Sequence, residues 1–465
     1  MFFHRTRHEV DMVGGPILSN VLRFSAPLIL SAVLQLVFNM TGLVVVGRFE
    51  STDAVAAVGA TTSMTNLIIN LFLGFSVGTS ILVAQHYGAG SHIDIKETVH
   101  TSVAMSVVLG VVMAVFGVVA ARALLVMMGT PEGAVLDGAA LYMRVYFLGM
   151  PANMLFNFGS SVLRAVGDTK RPLYYLLIAG VVNVLLNFVF IVAFRMGVAG
   201  VAVATIIPQY VSAALIVLNL MHAHGSIRLH LEELRIKKDK ALEIARVGLP
   251  VGLQATVFSI SNVLVQSAVN SFGAVAVAGS AAAANLENFV YVSMNSVYST
   301  ALSFTAQNFG ARRYERIGKV LGVCLATSTV AGATLGALSV AFSAPLLSIF
   351  INPEGAPEII AGVIAYGQAR MRIMCLPYFL CGLMEVLIGV LRGMGDSVRP
   401  MVISIAGACV MRILWLFTVF AVFRTPEMLF ASYPVSWLVT TVAHSFVYLH
   451  LRKTVLTAQK LPVGA

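Results

Sequence analysis

The chain has 465 residues, 58% of them apolar and only 11% charged, with a mean hydropathy of +0.89. Soluble domains carry about 45–50% apolar and about 25% charged residues, so a soluble globular protein is excluded. Disorder is excluded too, because it needs low hydrophobicity and dense charge. The net charge of +10 would suggest nucleic acid in a soluble chain; in a membrane chain it is first tested against cytoplasmic retention of Lys and Arg.

The first twenty residues carry charges without a short apolar core, so no cleaved signal peptide is expected. A membrane-spanning helix takes roughly 20 apolar residues. Twelve long apolar segments follow in order: about 19–46, 54–84, 97–121, 135–163, 171–194 and 197–222, then 243–270, 274–306, 316–342, 357–391, 399–423 and 427–451. The runs are continuous rather than alternating, which predicts helices and not a barrel. Between the sixth and seventh segments lies a polar connector, 223–242.

Both sides of that connector repeat the same signals. Leu163-Arg164-Ala165-Val166-Gly167-Asp168-Thr169-Lys170-Arg171-Pro172 returns as Leu391-Arg392-Gly393-Met394-Gly395-Asp396-Ser397-Val398-Arg399-Pro400. Gln85-His86-Tyr87-Gly88-Ala89 returns as Gln307-Asn308-Phe309-Gly310-Ala311, and Pro27 and Pro151 match Pro250 and Pro377. These matches are collinear and indicate an internal duplication. Six spans per copy bring each copy in from the same side, the arrangement of a parallel repeat. The expected fold is therefore an all-α polytopic membrane protein of 12 transmembrane helices, built as two parallel six-helix bundles about a pseudo-two-fold along the membrane normal. The expected divisions are an N-terminal lobe 1–222, a cytoplasmic linker 223–242 and a C-terminal lobe 243–465. In the repeated decapeptide, Gly167 and Gly395 suit the left-handed end of a helix. Asp168 and Asp396 suit the cap of the next one. Arg164 and Arg392 are expected at the membrane edge.

Only two carboxylates fall well inside the spans, Glu287 and Glu385. At about 2.5–3.5 kcal/mol per mid-bilayer charge on insertion scales, each points to a cavity, a partner or a transported cation. Glu287 sits in Asn285-Leu286-Glu287-Asn288, whose polarity suggests a wet or protein-lined face. Glu385 lies seven residues before Arg392, roughly 10 Å along a helix. Arg412 sits midway along its span and is expected to form a structural ion pair, with Glu287 favoured by depth. Arg144, Arg370 and Arg372 are expected to reach the outer interface. The first half offers neutral groups instead; Asn157 is the repeat mate of Glu385. Gln35 and Asn39 in the first span, and Asn262 and Gln266 in the seventh, are i,i+4 pairs on one helix face and suit a cleft lining. Asn288, Tyr291 and Tyr298 extend that candidate lining, with aromatic rings suited to cations or flat ligands.

The four cysteines have no metal-ligand spacing and read as buried small apolar residues. No HExxH, phosphate-binding Gly-Lys-Ser/Thr loop or convincing nucleophile–base set occurs, so no enzyme activity and no cofactor are expected.

Twelve spans in two halves, together with Phe38-Asn39…Val45-Val46-Gly47-Arg48-Phe49, Ala54-Val55-Ala56-Ala57-Val58-Gly59 and the doubled decapeptide, resemble the multidrug and toxic compound extrusion (MATE) family. The resemblance covers nearly the whole chain. It implies antiport of amphipathic, cationic small molecules against H+ or Na+ by rocking of two lobes around a cleft. Many relatives carry an aspartate late in span one, where this chain has Gly42. Others carry a glutamate early in span seven, where it has Gln254-Ala255. Glu287 and Glu385 are then the candidate coupling-cation residues. The alternative within the same superfamily is a flippase for lipid-linked saccharide or peptidoglycan precursors, which would gather Arg144, Arg370, Arg372 and Arg412 around an anionic headgroup. A monomer among membrane lipids is expected, with no nucleic-acid partner. The Lys and Arg excess falls on the termini and on alternate connections, placing both termini in the cytoplasm of a bacterial-type plasma membrane.

Overall fold

The computed structural model describes residues 9–49, 52–351 and 356–460. The extreme termini lie outside the described residues, as do the side chains of 41–56, which include Gly42 and the Val45–Phe49 motif. Among the described residues all regular structure is helical. In chain order the helices are α1 (Ile17–Phe49), α2 (Thr52–Ala89), α3 (His92–Met127), α4 (Ala134–Leu148), α5 (Met150–Ala165), α6 (Lys170–Asn187), α7 (Gly197–Met221), α8 (Lys238–Asn270) and α9 (Ala274–Gly310). They continue as α10 (Tyr314–Ala341), α11 (Ser343–Ser348), α12 (Pro357–Cys375), α13 (Tyr378–Gly393), α14 (Val398–Ser404), α15 (Met411–Phe417), α16 (Val419–Val422) and α17 (Pro426–Lys460). A π-helical turn, Phe188–Ala193, extends α6, and another, Ile405–Val410, joins α14 to α15.

Among the described residues eight helical runs, one of them α14 to α16 taken together, are long and apolar enough to cross a membrane, and α12 with α13, bent by 43°, makes a ninth. The remaining three predicted spans are α4 with α5, α9 and α17. Helices α9 and α17 read as less apolar because they carry more polar side chains, several of them buried against protein. Helix α9 packs against α10, α12 and α13 and buries Ser293, Ser296, Thr300 and Ser303. Its hydroxyls return their protons to the preceding turn, as in Ser296 to Val292 O at 2.8 Å and Thr300 to Ser296 O at 2.8 Å. Helix α17 likewise buries Ser432, Ser436, Thr440 and His444. The chain is thus a multi-pass membrane protein, and among the described residues its helices cover all twelve predicted segments. Lipid-facing helices show the reverse pattern: α3 exposes Val107, Val108, Val111, Val112, Val115, Phe116 and Val119.

The chain forms two compact units, Met1–Asp11 with Ala26–Gly252, and Met12–Ser25 with Leu253–Ala465. The first has a core of Met113, Leu125, Leu136, Met143, Phe147, Met154 and Phe158. Within it α2 meets the start of α8 backbone to backbone. A Cβ on Gly74 would lie 2.3 Å from Gly252 N, and one on Gly252 would lie 2.1 Å from Leu71 O. Small residues allow such contact between membrane helices, where close van der Waals packing replaces the hydrophobic effect. Gly252→Ala is therefore expected to destabilise the purified protein by about 1–3 kcal/mol. Gly59→Ala, where a Cβ meets nothing within 4 Å, should be tolerated. Equal unfolding midpoints for the two variants would show that the contact is not tight.

The polar connector is strapped to the start of α3 inside the first unit. Lys96 pairs with Glu233 at 2.6 Å, Lys237 with Glu97, and Lys240 with Asp94 at 2.7 Å. His230 N–H donates to His100 Nε2 at 3.0 Å, so the His100 Nδ1 proton goes to Lys96 O at 2.7 Å. The Lys96 ammonium, hydrogen-bonded to Glu233, holds that exposed carboxyl below its ordinary range. Exposed pairs of this kind contribute little each; together they fix where the connector lies.

The repeated decapeptide closes one helix and starts another in each unit. Gly167 (φ 106°) and Gly395 (φ 92°) take the left-handed conformation. Asp168 Oδ1 accepts from the N–H groups of Lys170 and Arg171, both at 3.1 Å. Asp396 Oδ1 accepts from Arg399 N–H at 3.1 Å.

Candidate functional site

Glu287 is buried on α9, 5% exposed, and its partner is Arg370 on α12. The pair is bidentate: Arg370 Nε donates to Oε1 and Nη2 to Oε2, each at 2.8 Å. Arg370 Nη1 donates to Ser280, and the guanidinium stands 5.0 Å from the Phe430 ring centroid. Ser280 and Glu287 are seven residues apart on α9, two turns, so one arginine spans both. The carboxylate is fully engaged. This corrects two expectations: Arg370 turns inward instead of reaching the interface, and Glu287 is not paired with Arg412. The reason is helix adjacency, because α12 packs directly on α9 while α15 packs on α17.

Glu385 is placed differently. It is half-buried on α13 and makes no hydrogen bond or ion pair among the described residues. Tyr291 and Tyr298 of α9 and Arg392 of α13 lie within its electrostatic reach. Arg392, at the end of α13, is buried against protein instead of facing headgroups as expected. Its Nη1 donates to Tyr298 Oη at 2.7 Å and its Nη2 to Gln254 Oε1 at 2.8 Å. These neutral partners tether the guanidinium without neutralising it, and Glu385 stays unpaired. Gln254 and Arg392 were not singled out as site residues from the sequence. The available signal was spacing, since Arg392 lies two turns from Glu385 on one helix face.

The other predicted residues occupy varied settings. Gln35, Asn39, Asn262, Gln266 and Asn288 are exposed on their helices. Asn262 Oδ1 accepts from Tyr433 Oη at 3.4 Å, and Gln266 Nε2 donates to Asn270 Oδ1 at 3.1 Å. Asn157 Nδ2 is turned back onto its own helix, to Asn153 O at 2.8 Å and Asn153 Oδ1 at 3.1 Å. Tyr291 is 36% exposed and Tyr298 is buried. Arg144 and Arg372 are exposed. Arg412 is buried, and its Nε donates to Ser436 Oγ at 3.0 Å; among the described residues no carboxylate lies within ion-pair distance of it.

Comparison with known proteins adds an independent line. The family model described as MatE matches residues 27–189 and 250–418, once in each half. The chain is 31% identical over 389 residues to probable multidrug resistance protein YoeA of Bacillus subtilis (strain 168), covering 82% of each. It is 24% identical over 388 residues to probable multidrug resistance protein NorM of Thermotoga maritima, covering 83% of this chain and 82% of that one. Among solved structures, a MATE in complex with MaL6 superposes with a TM-score of 0.90 at 21% identity. That alignment covers 97% of this chain and all of the other, 100%. An outward-facing multidrug resistance MATE family transporter gives 0.89 at 21% identity, covering 98% and 100%. At that identity the structures speak for the fold.

Proposed function

This chain belongs to the MatE family of membrane transporters, and we propose that it is a secondary antiporter exporting amphipathic small molecules in exchange for H+ or Na+. The observation that carries the reading is Glu385, a membrane-embedded carboxylate without an ion-pair partner, beside two tyrosines. A charge at that depth is costly unless something neutralises it, and a proton or a metal cation from solvent can do so. Glu287 does not serve, because Arg370 already neutralises it. In this scheme Glu385 binds the coupling cation and gives it up when substrate binds. Tyr291 and Tyr298 supply hydroxyl oxygens and ring faces beside it, and tethered Arg392 keeps the local field from trapping the cation. Gln35, Asn39, Asn157, Asn262, Gln266 and Asn288 are proposed to line the substrate path. The family assignment and the charge pattern support a plasma-membrane monomer with both termini in the cytoplasm.

The test is transport by the purified protein in sealed liposomes, with tetramethylrhodamine methyl ester as the cationic amphiphile. An imposed proton or sodium gradient is expected to drive dye uphill. If neither gradient moves dye faster than protein-free vesicles, the antiport reading is wrong.

A further inference from the structure

Six of the chain's ten histidines, His86, His92, His100, His222, His224 and His230, lie at the end of α2, the start of α3, the end of α7 and the connector that follows it. Among the described residues they join no cluster that could hold a metal ion. Two of them, His100 of α3 and His230 of the connector, lie face to face, with ring centroids 6.2 Å apart and planes within 8°.

His100 is buried, and both of its ring nitrogens are engaged: Nδ1 donates to Lys96 O and Nε2 accepts from the His230 N–H. Only the neutral ring can do both, because a protonated imidazole carries two donors and no acceptor. A second backbone donor ties the connector to the next residue of α3, Lys237 N–H to Thr101 Oγ1 at 3.3 Å. A proton on His100 would set the Nε2–H against the His230 N–H, donor against donor. A further proton on His230 would stack two like-charged rings.

A cavity of about 210 Å³ between α3 and the connector gives solvent protons access to His100. Among the described residues, the charged and titratable groups that face the ring are Lys96 and Glu97 from α3, and His230, Glu233, Arg235 and Lys237 from the connector. The pairs Lys96–Glu233 and Lys237–Glu97 neutralise both carboxylates. Lys96 keeps the Glu233 carboxyl below its ordinary range, so that pair stays ionised while a histidine titrates. Towards α2 and α8, His86 belongs to a neighbouring group with Asp94, Lys240 and Glu243.

We propose that His100 is a pH-operated clasp: its neutral ring holds the connector on α3, and a proton on the ring releases it. The clasped state binds fewer protons than the released one, so it is favoured at high pH and lost as pH falls through the ordinary imidazole range. The device is separate from the transport reading and makes the connector respond to the compartment it faces.

Hydrogen exchange of the full-length protein in mild detergent tests it, with protection expressed relative to the intrinsic rate at each pH. The His230 and Lys237 amides are donors in the clasp, so their exchange reports its opening. The comparison runs from about pH 8 to about pH 5.5, which brackets an ordinary imidazole. Across it, protection over residues 228–238 is expected to fall about tenfold, the scale of one hydrogen bond lost at a buried group. His100→Gln carries an amide oxygen that accepts without titrating, and its protection should be alike at both pH values. Glu233→Gln should lower protection at both pH values and keep their ratio, because it removes an ion pair and leaves the clasp. Should the His100 variant fail to fold, the wild-type and Glu233→Gln ratios decide. Equal wild-type protection at both pH values, a response that survives His100→Gln, or one abolished by Glu233→Gln overturns the proposal.

Discussion

Glu385→Gln in reconstituted protein is expected to lower gradient-driven export by about tenfold to a hundredfold, the scale of losing one charge-assisted contact. Gradient-free binding of the methyl ester dye should stay within a few fold. Gln has nearly the same shape as Glu, so the α13 packing survives, but its amide cannot take up and release a cation. The two membrane carboxylates differ in their partners. Glu385 has no ion-pair partner among the described residues, whereas both oxygens of Glu287 accept from Arg370. Glu287→Gln in the same assay should keep coupled export in whatever fraction of the protein folds. Full export by the Glu385 variant, or selective loss of coupling in the Glu287 variant, would reverse the assignment.

Arg370→Met should destabilise the protein by about 3–5 kcal/mol, because it leaves an ionised or forcibly protonated carboxyl buried on α9 without its partner. The double variant Glu287→Leu with Arg370→Met should recover most of that loss. Buried ion pairs contribute little net stability once both desolvation costs are counted, and apolar replacements of similar volume are often as stable. Denaturant unfolding in mild detergent measures both. If the double variant is no more stable than Arg370→Met alone, the pair is not the isolated unit that its geometry implies. The companion loss of the Phe430 contact, about 0.5–2 kcal/mol for a cation–π interaction, is common to both variants and cancels in the comparison.

The twelve spans were legible in the sequence for a strong reason. Backbone polar groups in lipid must be satisfied within the segment, so each crossing reads as a long, mainly helical apolar run even where the helix bends or breaks. The doubled decapeptide was legible for a local reason as well: a left-handed glycine followed by a capping aspartate depends on near neighbours only. The hydropathy of α9 and α17 is lower because they carry polar side chains such as Ser296, Thr300, Ser436 and Thr440, and only tertiary contact shows that these are buried.

The candidate site was legible in part. Depth picked out Glu287 and Glu385, and repeat alignment paired Glu385 with Asn157. Depth did not show which cation meets which carboxylate. Depth favoured Arg412 for Glu287 and put Arg370 at the outer interface, but the partner is set by which helix lies against α9. Arg392 was expected at a headgroup because it ends a span, yet it folds inward onto Tyr298 and Gln254.

Sequence alone therefore determined what is local or periodic: a multi-pass helical membrane protein, its duplication and its turns. Tertiary structure decided what depends on the rotation and adjacency of helices: the closed Glu287–Arg370 pair, the open Glu385 and the solitary Arg412. A side chain's depth follows from its position along one helix, but its partner follows from the helix beside it. The two carboxylates inside the spans, alike by composition, were separated only by that second fact.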